Sequence, residues 1–192
     1  MLVWTKTYLQ DPDEKGAEKL RRRILKYESI TDSIHQEMMT FLGTIMTAQM
    51  NTEEAGKIEK FLKISDELES LGDYCQKLVQ KVKWLHDKNE FFDKETHDAI
   101  LALCDEATEF YEEVIKKFID QEEVLTEFIR TKKKSFDANA RQVRSSYINR
   151  VRQLKLPPLI SLSVADVVAE LGRIFSHSRN IAELDTGVYS DD

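Results

Sequence analysis

The sequence predicts an all-α protein, an antiparallel bundle of five long helices. Three observations carry that expectation. Only six Gly and three Pro interrupt 192 residues, so little breaks a helix once it has begun. A third of the residues are charged, which suits long helices with one solvated face. Apolar residues recur at steps of three and four along most of the chain, the period of one helical face. This length suits one domain, or two small repeats sharing a core.

The chain opens with Leu2, Val3, Trp4, Tyr8 and Leu9 before a break at Asp11-Pro12-Asp13. This aromatic stub reads as the tail of a helix that begins upstream. Asp13 is placed to cap the first long helix, whose apolar line is Ala17, Leu20, Ile24, Tyr27, Thr31, Ile34, Met38, Phe41 and Ile45, ending near Met50. Asn51 or Thr52 caps the second, and Thr52-x-x-Ala55 lacks the acid of a capping box. That helix runs to about His86, and Asp87-Lys88-Asn89-Glu90 breaks it. The third spans about Asp93 to Ile119 on Ile100, Leu103, Ala107, Phe110 and Val114. The fourth covers about Gln121 to Leu154, with a bend placed near Ser135, and Leu156-Pro157-Pro158 stops it. The fifth begins at Ser161 or Ser163 and ends near Leu184, leaving Asp185 to Asp192 as a frayed tail. Short connections at Asn51 and at 87–90 make sequential helices antiparallel.

Composition excludes several classes of function. A formal charge of −7 argues against nucleic acid as a partner, which would want a net basic face. No run approaches the roughly 20 apolar residues of a membrane span. Met1-Leu2-Val3-Trp4 is too short for a signal peptide, and a cytoplasmic setting is expected. Cys75 and Cys104 fall inside helical patterns, so both are expected as reduced, buried thiols. There is no Gly-rich phosphate loop, no Ser-His-Asp constellation and no nucleophile beside a base.

The most informative stretch is the middle of the second helix. Ile64, Leu68, Leu71, Cys75, Leu78, Val82 and Leu85 form one apolar stripe, with Leu68 and Leu71 expected in the core. Glu69 and Asp73 stack one turn apart on the same strip of surface. On the first helix Glu28 and Asp32 repeat that spacing, with His35 beyond them. On spacing alone, solvated faces are the favoured reading of both pairs.

Ser65, Glu67, Leu68, Glu69, Leu71, Gly72, Asp73 and Tyr74 resemble the PhoU family signature S-T-D-L-E-R-I-G-D-Y-A, with Ser70 where the family prefers Arg. Glu170-Leu171-Gly172-Arg173-Ile174-Phe175-Ser176-His177, followed by Asn180-Ile181-Ala182-Glu183, looks like a second, degraded copy. A shift of the second helix onto the fifth pairs Ile64 with Val167, Glu67 with Glu170, Leu71 with Ile174 and Leu78 with Ile181. The resemblance covers nearly the whole chain. It implies tandem three-helix repeats, 1–90 and 91–192, with the first helix of the first repeat truncated.

It also implies metal ions held by acid-x-x-x-Asp pairs on neighbouring helices. Onto this sequence the pattern carries Glu28, Asp32, Glu69 and Asp73, for iron, manganese or zinc as a divalent or ferric ion. Four converging carboxylates cannot all stay ionised without a cation between them. Gly172 and Ser176 stand where the second copy's acids belong, so a second site is expected to be lost; Asp166, Glu170 and His177 offer a displaced alternative.

By resemblance, the chain is a non-enzymatic regulatory domain in phosphate transport, most like the C-terminal cytoplasmic domain of bacterial sodium/phosphate cotransporters. Its partner would be the membrane-embedded transporter portion or a transport-system protein, or a second copy in a homodimer. The alternatives are a free-standing cytosolic regulator and a ligand-free helical scaffold. A di-iron carboxylate enzyme would need Glu-x-x-His on two helices, and only Asp32-Ser33-Ile34-His35 comes near. The basic residues of the fourth helix (Arg130, Lys132, Lys133, Lys134, Arg141, Arg144, Arg150, Arg152) are expected to face the acids of the third rather than anionic lipid.

Overall fold

Caps and prolines set the helix boundaries in the computed structural model, which describes residues 1–12, 14–47, 51–120, 124, 126–154 and 158–186, without the side chains of 152–154, 158, 185 and 186. Among these residues there are six helices and no strand: α1 (Leu2–Gln10), α2 (Ala17–Met46), α3 (Thr52–Asp87), α4 (Lys94–Asp120), α5 (Thr126–Leu154) and α6 (Pro158–Thr186). The five long helices are joined by a sixth, because the opening stub is itself helical. Asp13, Met50, Gln121, Leu156, Pro157 and residues 187–192, which carried several boundary expectations, lie outside the described residues.

Local chemistry corrects three further boundaries. Gly16 precedes α2 with φ 123°, a left-handed conformation that a residue with a Cβ adopts only under strain. At α3 the capping box is one residue earlier than Thr52-x-x-Ala55. The Asn51 side chain accepts from the Glu54 amide at 2.9 Å, and the Glu54 carboxylate accepts from the Asn51 amide at 3.1 Å. α6 starts at Pro158, which suits a first turn whose amides lack partners anyway, so Ser161 and Ser163 lie inside the helix and cap nothing.

α3 ends in a Schellman turn: the Glu90 amide donates to the Leu85 carbonyl and the Asn89 amide to that of His86, with Asn89 at φ 56°. Asp93 then caps α4 by accepting from the Thr96 amide and hydroxyl at 3.0 and 2.6 Å.

Pairs of contacts that run in opposite directions show the helices to be antiparallel. Glu113 meets Lys132 and Glu106 meets Asn139 across α4 and α5. Tyr74 meets Arg173 and Lys81 meets Asp166 across α3 and α6. α6 packs against α3, α4 and α5, and α1 against α2, α3 and α4. The core is continuous through these elements. Phe175 of α6 stacks between Phe110 of α4 and Phe136 of α5, with centroids at 4.3 and 4.5 Å. The predicted α4 line is fully buried, as is the α3 stripe apart from Leu68, which is half-buried against the core.

Cys75 and Cys104 are free and buried, and burial pushes their thiols up to about 11 and about 12. On α5, Lys132 reaches Glu113, while Arg150 reaches Thr96 and the acids Asp93 and Glu95 at the start of α4. Arg130 and Lys133 pair with acids of α5 itself.

The long stripe predicted on α2 is buried only at Ala17 and Ile24, with Leu20 packed beside them. Tyr27, Ile30, Ile34, Phe41 and Met46 are exposed. α2 touches only α1 and α3 among the described elements, and α1 is too short to cover its distal half.

Candidate functional site

The antiparallel pairing of α2 with α3 sets the position of the predicted carboxylates. Thr31 lies beside Gly72, so Glu28 and Asp32 come level with Asp73 and Glu69. The Glu28 carboxyl sits above its ordinary value of 4.5. Burial is the first cause, followed by the negative charges of Asp73, Asp32 and Glu69. Of the three acids, Asp73 acts on Glu28 most strongly. The charges of the other three predicted carboxylates are thus felt at Glu28.

Other partners share the cluster. Asp73 accepts from Lys77 at 3.3 Å, and Glu69 accepts from Ser70 at 3.4 Å. Among the described residues no three His, Cys, Asp or Glu side chains come close enough together to hold a metal ion. His35 turns away from the carboxylates, with Nδ1 3.0 Å from the Ser65 hydroxyl and Nε2 3.3 Å from Asp66.

A second polar cluster lies where α3 crosses α6, and the sequence pattern did not reveal it. His177 Nδ1 donates to Glu67 Oε2 at 2.6 Å, and Asn180 Nδ2 reaches both Glu67 oxygens at 3.1 and 3.2 Å. Tyr74 stacks on the His177 ring at 5.3 Å and accepts from Arg173 at 3.0 Å. His177 therefore pairs across the molecule rather than locally. The displaced site is dispersed: Asp166 pairs with Lys81, Glu170 lies 3.9 Å from Arg173, and His177 faces Glu67. The available signal was the Asn180-Ile181-Ala182-Glu183 run after the degraded signature, which places Asn180 and His177 one turn apart on the same face.

An all-helical bundle of this connectivity, with α3 and α6 crossing at its centre, defines a PhoU-like fold. The crystal structure of PhoU from Pseudomonas aeruginosa matches it with a TM-score of 0.70 over 97% of this chain and 87% of that one, at 16% identity. At that identity the likeness is one of fold. No protein-family model matches the sequence, and no curated protein does. No helix among the described residues is long and apolar enough to cross a membrane.

Proposed function

We propose that this chain is a non-enzymatic regulatory domain in phosphate transport, acting on the cytoplasmic side as the PhoU-like part of a sodium/phosphate cotransporter. The observation that carries the reading is a PhoU-like fold over 97% of the chain. The placement of Glu28 and Asp32 on α2 level with Asp73 and Glu69 on α3 accompanies it.

Those carboxylates fit an ion in chemistry, but no three of them stand close enough together to hold one as they are placed, so binding would have to draw them in. An all-oxygen, multiply negative donor set suits a hard cation; the Glu28 carboxyl is raised by burial first and by the neighbouring acids second, and a cation would relieve the second part. When bound, the ion would supply positive charge between α2 and α3 and tie the two helices together. The Glu28 carboxyl would have to give up its proton, and Lys77 would have to yield Asp73. Binding is therefore expected to release protons and to weaken as pH falls.

The test is elemental analysis of untagged protein, with thermal unfolding during titration by iron, manganese or zinc. An ion held only by the folded arrangement raises Tm. Asp73→Asn should abolish most of that rise, whereas Asp166→Asn should leave it intact. No bound metal and no shift with any of the three ions would remove the site and leave a ligand-free PhoU-like scaffold.

A further inference from the structure

Positive charge on α2 is confined to one end of the helix. Residues 17–26 hold Lys19, Arg21, Arg22, Arg23 and Lys26 against the single acid Glu18, in a chain whose formal charge is −7. Residues 27–46 hold Glu28, Asp32 and Glu37 and no Lys or Arg. Lys19, Arg22 and Lys26 follow steps of three and four on the face opposite the buried Ala17 and Ile24. They make an exposed line about 10 Å long, with the exposed Arg23 beside it.

The fold makes little use of these charges. Glu18 is shared by Arg21 and Arg22 at 2.8 and 2.9 Å. Among the described residues Lys19 and Lys26 have no acid partner. Lys19, Arg21, Arg22 and Arg23 also stand in the first two turns, where the helix dipole already places positive charge. Lys19 with Arg23 and Arg22 with Lys26 are like charges four apart, a spacing that destabilises a bare helix. Helix stability alone would place none of them there. A surface that breaks a local rule in this way points to a partner that supplies the missing negative charge.

The side chains beside the line indicate which partner. Trp4 and Tyr27 border it on the α1 side, edge to face at 5.0 Å, with the Arg23 guanidinium 3.8 Å over the Trp4 ring. Trp and Tyr combine an apolar body with a polar tip and favour the headgroup layer of a bilayer. Clusters of roughly four to eight Lys and Arg on an amphipathic helix recognise anionic lipid. We propose that this end of α2 docks the domain on an anionic membrane surface, with Lys19, Arg22, Arg23 and Lys26 meeting lipid phosphates and carboxylates. The contact is with lipid itself and not with a transporter segment, so it goes beyond the function proposed above and does not rest on it.

Flotation with phosphatidylcholine vesicles, with and without about 40% phosphatidylserine, tests the surface. The protein should bind the serine-containing vesicles at about 0.05 M salt, more weakly at 0.3 M, and leave pure phosphatidylcholine alone. Lys19→Gln combined with Lys26→Gln should weaken binding by about tenfold or more. Both sites are exposed and lose like-charged neighbours, so Tm should hold or rise. Lys57→Gln combined with Lys63→Gln makes the same change of net charge on α3 and should leave binding intact. Equal loss in the two double variants would reduce the effect to net charge and overturn the proposal. Absence of binding to the serine-containing vesicles overturns it as well. Binding to heparin without binding to vesicles would assign the line to a soluble polyanion, which also overturns it. The metal titration reads a different surface, so either experiment can fail while the other succeeds.

Discussion

Glu67 on α3 and His177 on α6, 110 positions apart in sequence, lie 2.6 Å from one another at the crossing of the two helices. With a side-chain exposure of 13%, Glu67 is the more enclosed of the two, and Asn180 occupies its oxygens as well. Glu67→Ala therefore removes one acceptor from two donors. It is expected to destabilise by about 1–3 kcal/mol in urea unfolding. His177→Ala in the same background should cost less than it does alone, with a coupling of at least about 0.5 kcal/mol. Strict additivity would mean that the contact contributes nothing.

Glu28 gives stability a pH dependence of definite sign. Its folded carboxyl sits above the ordinary value of 4.5, for burial first and the neighbouring acids second, so the folded state binds its proton more tightly than the unfolded chain does. That contribution is present below the unfolded value and lost as pH rises through the folded one. In metal-free protein Glu28→Gln should therefore be more stable than wild type near neutral pH, and the gain should vanish by about pH 4. A gain that persists unchanged at the acid end would show that the neighbouring carboxylates do not cause it.

Leu71 is 5% exposed and faces the core, whereas Leu68 is half-buried beside Met1. Leu71→Ala is expected to cost about 2–5 kcal/mol, and Leu68→Ala clearly less. Equal costs in chemical denaturation would mean that the groove at Met1 is as tightly packed as the centre.

Asp93 caps α4, and its carboxyl lies below its ordinary value. Burial pushes it up, but the hydrogen bonds from Thr96 and the nearby Arg150 outweigh that. Asp93→Ala should cost about 1 kcal/mol, while Asp93→Asn keeps a capping oxygen and most of the stability. Because the folded value is lowered, the aspartate's advantage holds above about pH 4 and disappears in acid. An Asn variant as unstable as the Ala variant at neutral pH would place the effect in the charge and not in the cap.

Much of this architecture was legible because it rests on local periodicity. The α4 line from Ile100 to Val114 and the α3 stripe are spaced by one helical period, and burial follows. Capping was partly legible: Asn51 was one of two candidate caps and is the cap, but its box with Glu54 was missed because it was looked for from Thr52, and Pro158 starts a helix that Ser161 seemed placed to begin. On α2 periodicity misled, since a stripe records an amphipathic face but not whether a neighbour covers it. For the candidate site, the acid pairs were visible from spacing, and their placement level with one another follows from the α2–α3 hairpin. The link from Glu67 to His177 was not, because helices distant in sequence meet according to tertiary packing that no local period encodes.

α6 is the element on which α3, α4 and α5 all close, and it follows them all in sequence. On a ribosome, Leu71 is made 103 positions before Ile174, its counterpart in the α6 core. At about 5–20 residues per second, α3 waits roughly 5–20 s before that surface exists. During that interval the stripe through Cys75, Leu78 and Val82 has no α6 to bury it. The nascent chain must shield it by transient contacts or with a chaperone until synthesis reaches α6.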